Sequence, residues 1–137
     1  MQTILTYFAM LLTGLFLQAQ NSIVVNITGF ESNKGTVMVG LYNKEGDFLK
    51  EYHLSISSDI YDNKANVTFT DIPDGVYAVS CYHDEDANGE LNFFMGVYPT
   101  EDTGTSNNAP ARFGPPKWED AKFEIKDGEI KTFKIIL

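Results

Sequence analysis

Asp84, Asp86 and Asn88 stand at alternate positions, and Gly89 follows them at once. Oxygen-bearing side chains on every second residue, closed by a glycine, form the first half of a D-x-[DN]-x-[DN]-G loop. The spacing has a physical reason. A hard divalent cation such as calcium collects about six to eight oxygens at roughly 2.3–2.6 Å, so the chain must curl and turn alternate side chains inward. Gly89 tolerates the positive φ that the sharp turn needs. Leu91, two positions on, ties such a loop to a core. The expected ligands are Asp84, Asp86, Asn88, the backbone of Glu90, and Asn92, with a carboxylate from Glu101 or Asp102 closing the shell. Position twelve of the loop, where an EF-hand carries a bidentate Glu, is Met95, and strands rather than helices flank the loop. An EF-hand is therefore excluded. The competing reading is an acidic surface turn that alternates by chance. Neighbouring carboxylates repel without a cation, and that favours the ion.

No other residues match this pattern for chemistry. His83 precedes the loop and His53 lies far upstream, without the clustered ligands that zinc requires. His83 reads as a hydrogen-bonded residue at a strand end. Cys81 is the single cysteine, so no intramolecular disulfide forms. Its strand parity with Tyr77 and Val79 makes it a buried, inert thiol. There is no G-x-S-x-G elbow, phosphate loop or dinucleotide fingerprint. Glu85 and Asp86 are consecutive on a loop and badly placed as paired acids. No catalytic residue is expected. Trp118, Tyr98 and Phe113 flank a Pro-rich segment, where aromatics pin a loop to a sheet or, exposed, stack on sugars. The first is the expectation. Asn107 and Asn108 read as turn residues making Asx-type hydrogen bonds.

The 137 residues suffice for one domain with its own core, and 43% hydrophobic residues with 13% aromatic exclude a disordered chain. A formal net charge of −9 argues against nucleic acid or an anionic membrane as partner. Ile4–Leu17 is mostly apolar, and no charged side chain precedes Glu31. That length fits a secretory signal peptide over residues 1–19, cleaved after Ala19, and is short for a membrane span. An uncleaved anchor is the alternative, since no Lys or Arg precedes the run. The expected location is secreted or periplasmic, with no stable membrane insertion after cleavage.

Around the loop the signals are those of strands. Ser22–Gly29 is rich in β-branched residues, and Thr36–Tyr42 follows the turn cluster Glu31–Gly35. Phe48–Ile56 alternates imperfectly, as an irregular strand. Ser57–Asn63 is polar and loop-like, anchored by Ile60 and Tyr61. Asn66–Thr70 is a short strand, Asp71–Gly75 a Pro-Asp-Gly turn, and Val76–Tyr82 the clearest strand, delivering His83 and the ion loop. Asn92–Tyr98 leaves the loop as an apolar segment. Pro99–Lys117 shows no periodicity and reads as a long loop. Trp118–Ala121 suits one helical turn. Lys122–Lys126 and Glu129–Leu137 are strands joined by a hairpin signal at Asp127-Gly128. About seven short strands and no helical stripe in residues 20–137 predict a single antiparallel β-sandwich.

Asp71-Ile72-Pro73-Asp74-Gly75-Val76-Tyr77-Ala78-Val79, the loop His83–Leu91, Ser106-Asn107-Asn108 and Phe113-Gly114-Pro115-Pro116 occur in that order. In these motifs the chain resembles the secreted bacterial domain-of-unknown-function family numbered 2141, over roughly Ile23 to Leu137. The resemblance implies a sandwich similar to transthyretin-like and carboxypeptidase-regulatory-like domains, and supplies no activity. The family pattern usually has Asp where this chain has Asn92, and an aromatic where Thr105 stands. The expected function is a secreted β-sandwich module holding a structural calcium ion. The alternative is a metal-independent module that binds a glycan or protein of the cell envelope.

Overall fold

The computed structural model describes residues 20–137, and the expected signal segment 1–19 lies outside the described residues. β1 (Asn21–Thr28) follows the alternation closely: Ile23, Val25 and Ile27 are fully buried while their neighbours face outward. It pairs antiparallel with β4 (Lys64–Ile72), whose Ala65, Val67 and Phe69 point to the same core. Its other edge pairs in parallel with the last strand, β10 (Ile130–Ile136). The first sheet therefore runs β10-β1-β4.

The second sheet runs β3-β2-β5-β8, from β2 (Thr36–Tyr42), β3 (Leu54–Asp59), β5 (Gly75–Asp84) and β8 (Thr103–Thr105), with β9 (Phe123–Ile125) also on β5. Val37, Val39 and Leu41 of β2 and Tyr77, Val79 and Cys81 of β5 face the first sheet and close one core with it. Both faces of β5 are covered. On its outer side Ala78 joins Tyr42, Phe48 and Ala121 in a second small cluster, against which Trp118 packs. That explains why β5 reads as an almost unbroken buried run rather than an alternating one. The sandwich expected from the sequence is present, with β1–β10 the single parallel pair among the described residues.

Three local expectations are corrected. The chain makes a 3-10 turn at Glu45–Asp47 and a left-handed residue at Leu49 (φ 60°), and β3 begins only at Leu54. Ser57–Asp59 is thus strand, not loop. Serines alternating on an exposed edge strand hide the usual β-branched signal. Ile60 is buried as expected, but Tyr61 is 86% exposed and anchors nothing. Second, Asp127-Gly128 does turn with positive φ at both residues. It builds no hairpin ladder, because β9 pairs β5 and β10 pairs β1. The turn hands the chain from one sheet to the other. Asn21, fully buried, holds it: its Nδ2 donates to Ile72 O (2.8 Å) and Asp74 Oδ1 (2.9 Å), and its Oδ1 accepts Glu129 N–H (2.9 Å).

Third, the region 99–117 is not one loop. β6 (Phe93–Phe94) and β7 (Tyr98–Pro99) form a small hairpin, and β8 then pairs β5 beside Gly104, where a Cβ would meet the Ile135 side chain at 2.4 Å. Three residues are too few to show alternation. Ser106-Asn107-Asn108 then clamps the end of the chain to both sheets. Buried Ser106 Oγ accepts Val79 N–H (3.0 Å) and donates to Ala121 O (2.6 Å). Asn107 Nδ2 reaches the carbonyls of Asp120, Ala121 and Lys122, at the end of helical turn α1 (Trp118–Ala121). Asn108 faces the open edge of β10, donating to Lys134 O (2.9 Å) and accepting Ile136 N–H (3.1 Å). It acts as one residue of a missing neighbour strand. Trp118 pins its segment, stacking edge-on against Phe48, whereas Tyr98 and Phe113 are exposed and pin nothing.

Candidate metal centre

β5 ends at Asp84, and the acidic loop begins where the core stops. Beneath it the β1–β2 turn supplies a floor. His83 is buried, meets the Phe30 ring edge-on at 5.1 Å and places Nε2 2.7 Å from Lys34 O. A carbonyl only accepts, so Nε2 carries the hydrogen. His83 thus serves the fold, as its place at a strand end implied.

Asp84 is 3% exposed, and its carboxylate is met by backbone: Oδ1 accepts Asn88 N–H (3.1 Å) and Oδ2 accepts Gly89 N–H (2.8 Å). The curl expected from Gly89 is real, with φ at 78° and also a left-handed Ala87 at 53°. Tyr82 fastens its crest by donating to Gly89 O (3.1 Å). Burial pushes the Tyr82 phenol up to about 12. Asp86 is exposed, and the Asn92 amide beside it holds its carboxyl below the ordinary 3.8.

One oxygen each of Asp84, Asp86 and Glu101 lies within 4.8 Å of the others. Oxygens sharing one calcium ion at roughly 2.3–2.6 Å are at most about 5 Å apart, so the trio fits a single ion of that size. Every donor is oxygen, which suits a hard cation and not zinc. Glu101 arrives from sixteen residues downstream of Glu85 because the β6–β7 hairpin folds the chain back. Its Oε1 accepts Glu85 N–H (3.2 Å) and its Oε2 accepts Asn92 N–H (3.1 Å).

The remaining expected ligands are placed differently. Asn88 Oδ1 accepts Glu90 N–H (2.9 Å), and Asn88 Nδ2 donates to Asn92 Oδ1 (2.9 Å). Glu90 joins the loop through that N–H, with its side chain exposed. Asn92 turns its nitrogen, not its oxygen, toward Asp86 Oδ2 (2.8 Å). Asp102 stands outside the trio and meets the site only through its carbonyl, which accepts His83 N–H (2.9 Å). Of the two downstream carboxylates, Glu101 is the one brought in.

The profile of the family described as "Uncharacterized protein conserved in bacteria (DUF2141)" matches residues 25–132. The chain belongs to DUF2141. The match spans both sheets and the whole acidic loop, and it carries no assigned activity. No curated protein and no solved structure matches this DUF2141 chain significantly. Sequence reasoning had the residues of the acidic loop but missed its supports, Tyr82, Gly35 and Lys34 O. Tyr82 carried no signal beyond strand parity. Gly35 did stand in a turn cluster, and its role appears only when Asp84 lies against it.

Proposed function

We propose that this DUF2141 protein is a secreted or periplasmic binding module, not an enzyme, with one calcium ion at Asp84, Asp86 and Glu101. The observation that carries the reading is the convergence of three carboxylates from both ends of one excursion on a span one ion can bridge. Asn88 Oδ1, which accepts Glu90 N–H (2.9 Å), would have to turn to add a further oxygen. The ion would be structural. It would tie the end of β5 to Glu101 and so fix the base of the β6–β7 hairpin. Export is supported by the apolar run Ile4–Leu17, and extracellular calcium is abundant enough for a site with dissociation constant of about 10⁻⁴–10⁻³ M.

Thermal unfolding in EDTA and then in rising calcium tests this. Free calcium at about 100 times its dissociation constant should add about 2.7 kcal/mol of stability. Magnesium should fail to match it, and Asp84→Ala with Asp86→Ala should abolish it. A flat response up to about 10 mM calcium, about tenfold above the upper end of that affinity range, would sink the ion reading.

A second reading, recognition of an envelope glycan or protein, is favoured by one specific feature. Phe93, Phe94, Met95, Val97 and Tyr98 are all more than half exposed on the hairpin that the acidic site holds at its base. Such a contiguous apolar tip marks a recognition surface. The two readings are compatible, since an ion at the base would order the tip.

A further inference from the structure

We infer that the β6–β7 hairpin is a docking surface for a second copy of this chain, which lends it the Arg112-Phe113 loop. The inference rests on reading the hairpin tip as a recognition surface, and names its occupant. Phe93 pairs with Pro99 and Phe94 with Tyr98 across the ribbon, and successive side chains point to opposite faces. All four are exposed, so each face of the hairpin presents open apolar surface. A two-stranded ribbon gains little from its own pairing in water and needs something packed against it. Carboxylates surround it: residues 84–102 carry six, and no Lys or Arg.

A complementary occupant is apolar and cationic. Residues 103–118 meet both demands, with Arg112 and Lys117 and no Asp or Glu. Phe113 is fully exposed, and neither cation forms a salt bridge among the described residues. Phe113 and the hairpin tip stand exposed in the same molecule, so they do not cover each other. Contact between them takes two chains. Pro110, Pro115 and Pro116 bracket the loop and fix φ, so docking costs it little chain entropy. Phe113 supplies an aromatic contact for Phe94 and Tyr98, and Arg112 a charge for the surrounding carboxylates. One loop on one hairpin is a small contact of the transient class, with a dissociation constant on the order of 10⁻⁵–10⁻⁴ M.

Sedimentation equilibrium of the purified protein, in EDTA so that the result does not turn on calcium, should show mass rising with concentration. Arg112→Glu and Phe113→Ala should each weaken association about tenfold or more, and salt at about 0.5 M should weaken it severalfold. All the substituted side chains are exposed, so unfolding temperatures should stay unchanged. Amide NMR then locates the contact. Isotope-labelled Phe113→Ala, whose hairpin is intact, is titrated with unlabelled Phe94→Ser/Tyr98→Ser, whose loop is intact. Shifts at Phe93–Tyr98 of the labelled copy are expected. A mass that stays monomeric, or association that the Arg112 and Phe113 variants leave unchanged, overturns the inference. Shifts at Phe93–Tyr98 with soluble peptidoglycan fragments but not with the second copy also overturn it, while leaving the tip a recognition surface. No shift from either overturns it and removes the glycan as occupant too.

Discussion

Gly35 shows how one atom is excluded at the site. A Cβ there would lie 1.9 Å from the Asp84 carbonyl oxygen, and φ is +67°. Backbone on both sides leaves nothing to yield, so Gly35→Ala should cost about 2–4 kcal/mol in urea unfolding. The residue displaced supplies the first carboxylate, so calcium affinity should fall with it. Cys81 makes a second prediction. Burial pushes its thiol from 9.0 up to about 12. A raised folded-state value means stability that is complete below pH 9, where the unfolded chain's thiol begins to ionise, and that is lost as pH climbs through 12. Burial also raises Tyr42, though the Ser80 hydroxyl opposes it, and this adds to the loss above pH 10, its ordinary value. Urea unfolding from about pH 8 to about pH 10 should show the decline starting near the ordinary thiol value, and Cys81→Ala should flatten that first step. A thiol reagent at about pH 8 should leave the folded protein unmodified and react only on unfolding. The inert thiol was legible from strand parity alone. The prohibition on a side chain at position 35 was not, because it depends on two segments far apart in the chain meeting.

At the scale of elements, legibility followed length. Strands with enough residues to alternate, β1, β2 and β5, were readable from β-branched and apolar spacing, as was the turn at Asp71–Gly75. β8 has three residues, and its pairing with β5 is decided by Gly104 lying against Ile135, which no local pattern records. The Asp127-Gly128 turn was visible, but a turn says nothing about which sheet receives the next strand. That choice lies with Asn21 and with Phe123, whose ring meets Phe133 at 4.3 Å. The Asn108 clamp is the element-scale feature most open to test. Asn108→Ala removes both bonds to the β10 edge and should lower stability by about 1–2 kcal/mol in urea unfolding, with faster amide exchange at Ile136. Asn108→Asp keeps the acceptor, loses the donor, and should fall between the two. An unchanged Ile136 exchange rate would show that the edge is covered by something else.

Across the whole molecule charge is unevenly spread: residues 65–111 carry eight carboxylates and no Lys or Arg. Six of the eight lie between Asp84 and Asp102, around the exposed β6–β7 hairpin. This end of the sandwich is therefore acidic and apolar at once, an arrangement that suits cation binding and recognition rather than anionic surfaces. The acidic alternation was plain in sequence. The closure by Glu101 was one of two candidates there, and the reversal of the Asn92 amide was not visible at all, because both depend on the hairpin's fold-back. The most direct measurement is a calcium titration followed by two-dimensional amide NMR of the protein. The account predicts saturable shifts concentrated at Glu85, Asn88, Gly89, Asn92 and Glu101, with the rest of both sheets unmoved. Shifts scattered over surface carboxylates, or none by about 10 mM calcium, about tenfold above the weakest affinity expected, would contradict an ion at this loop.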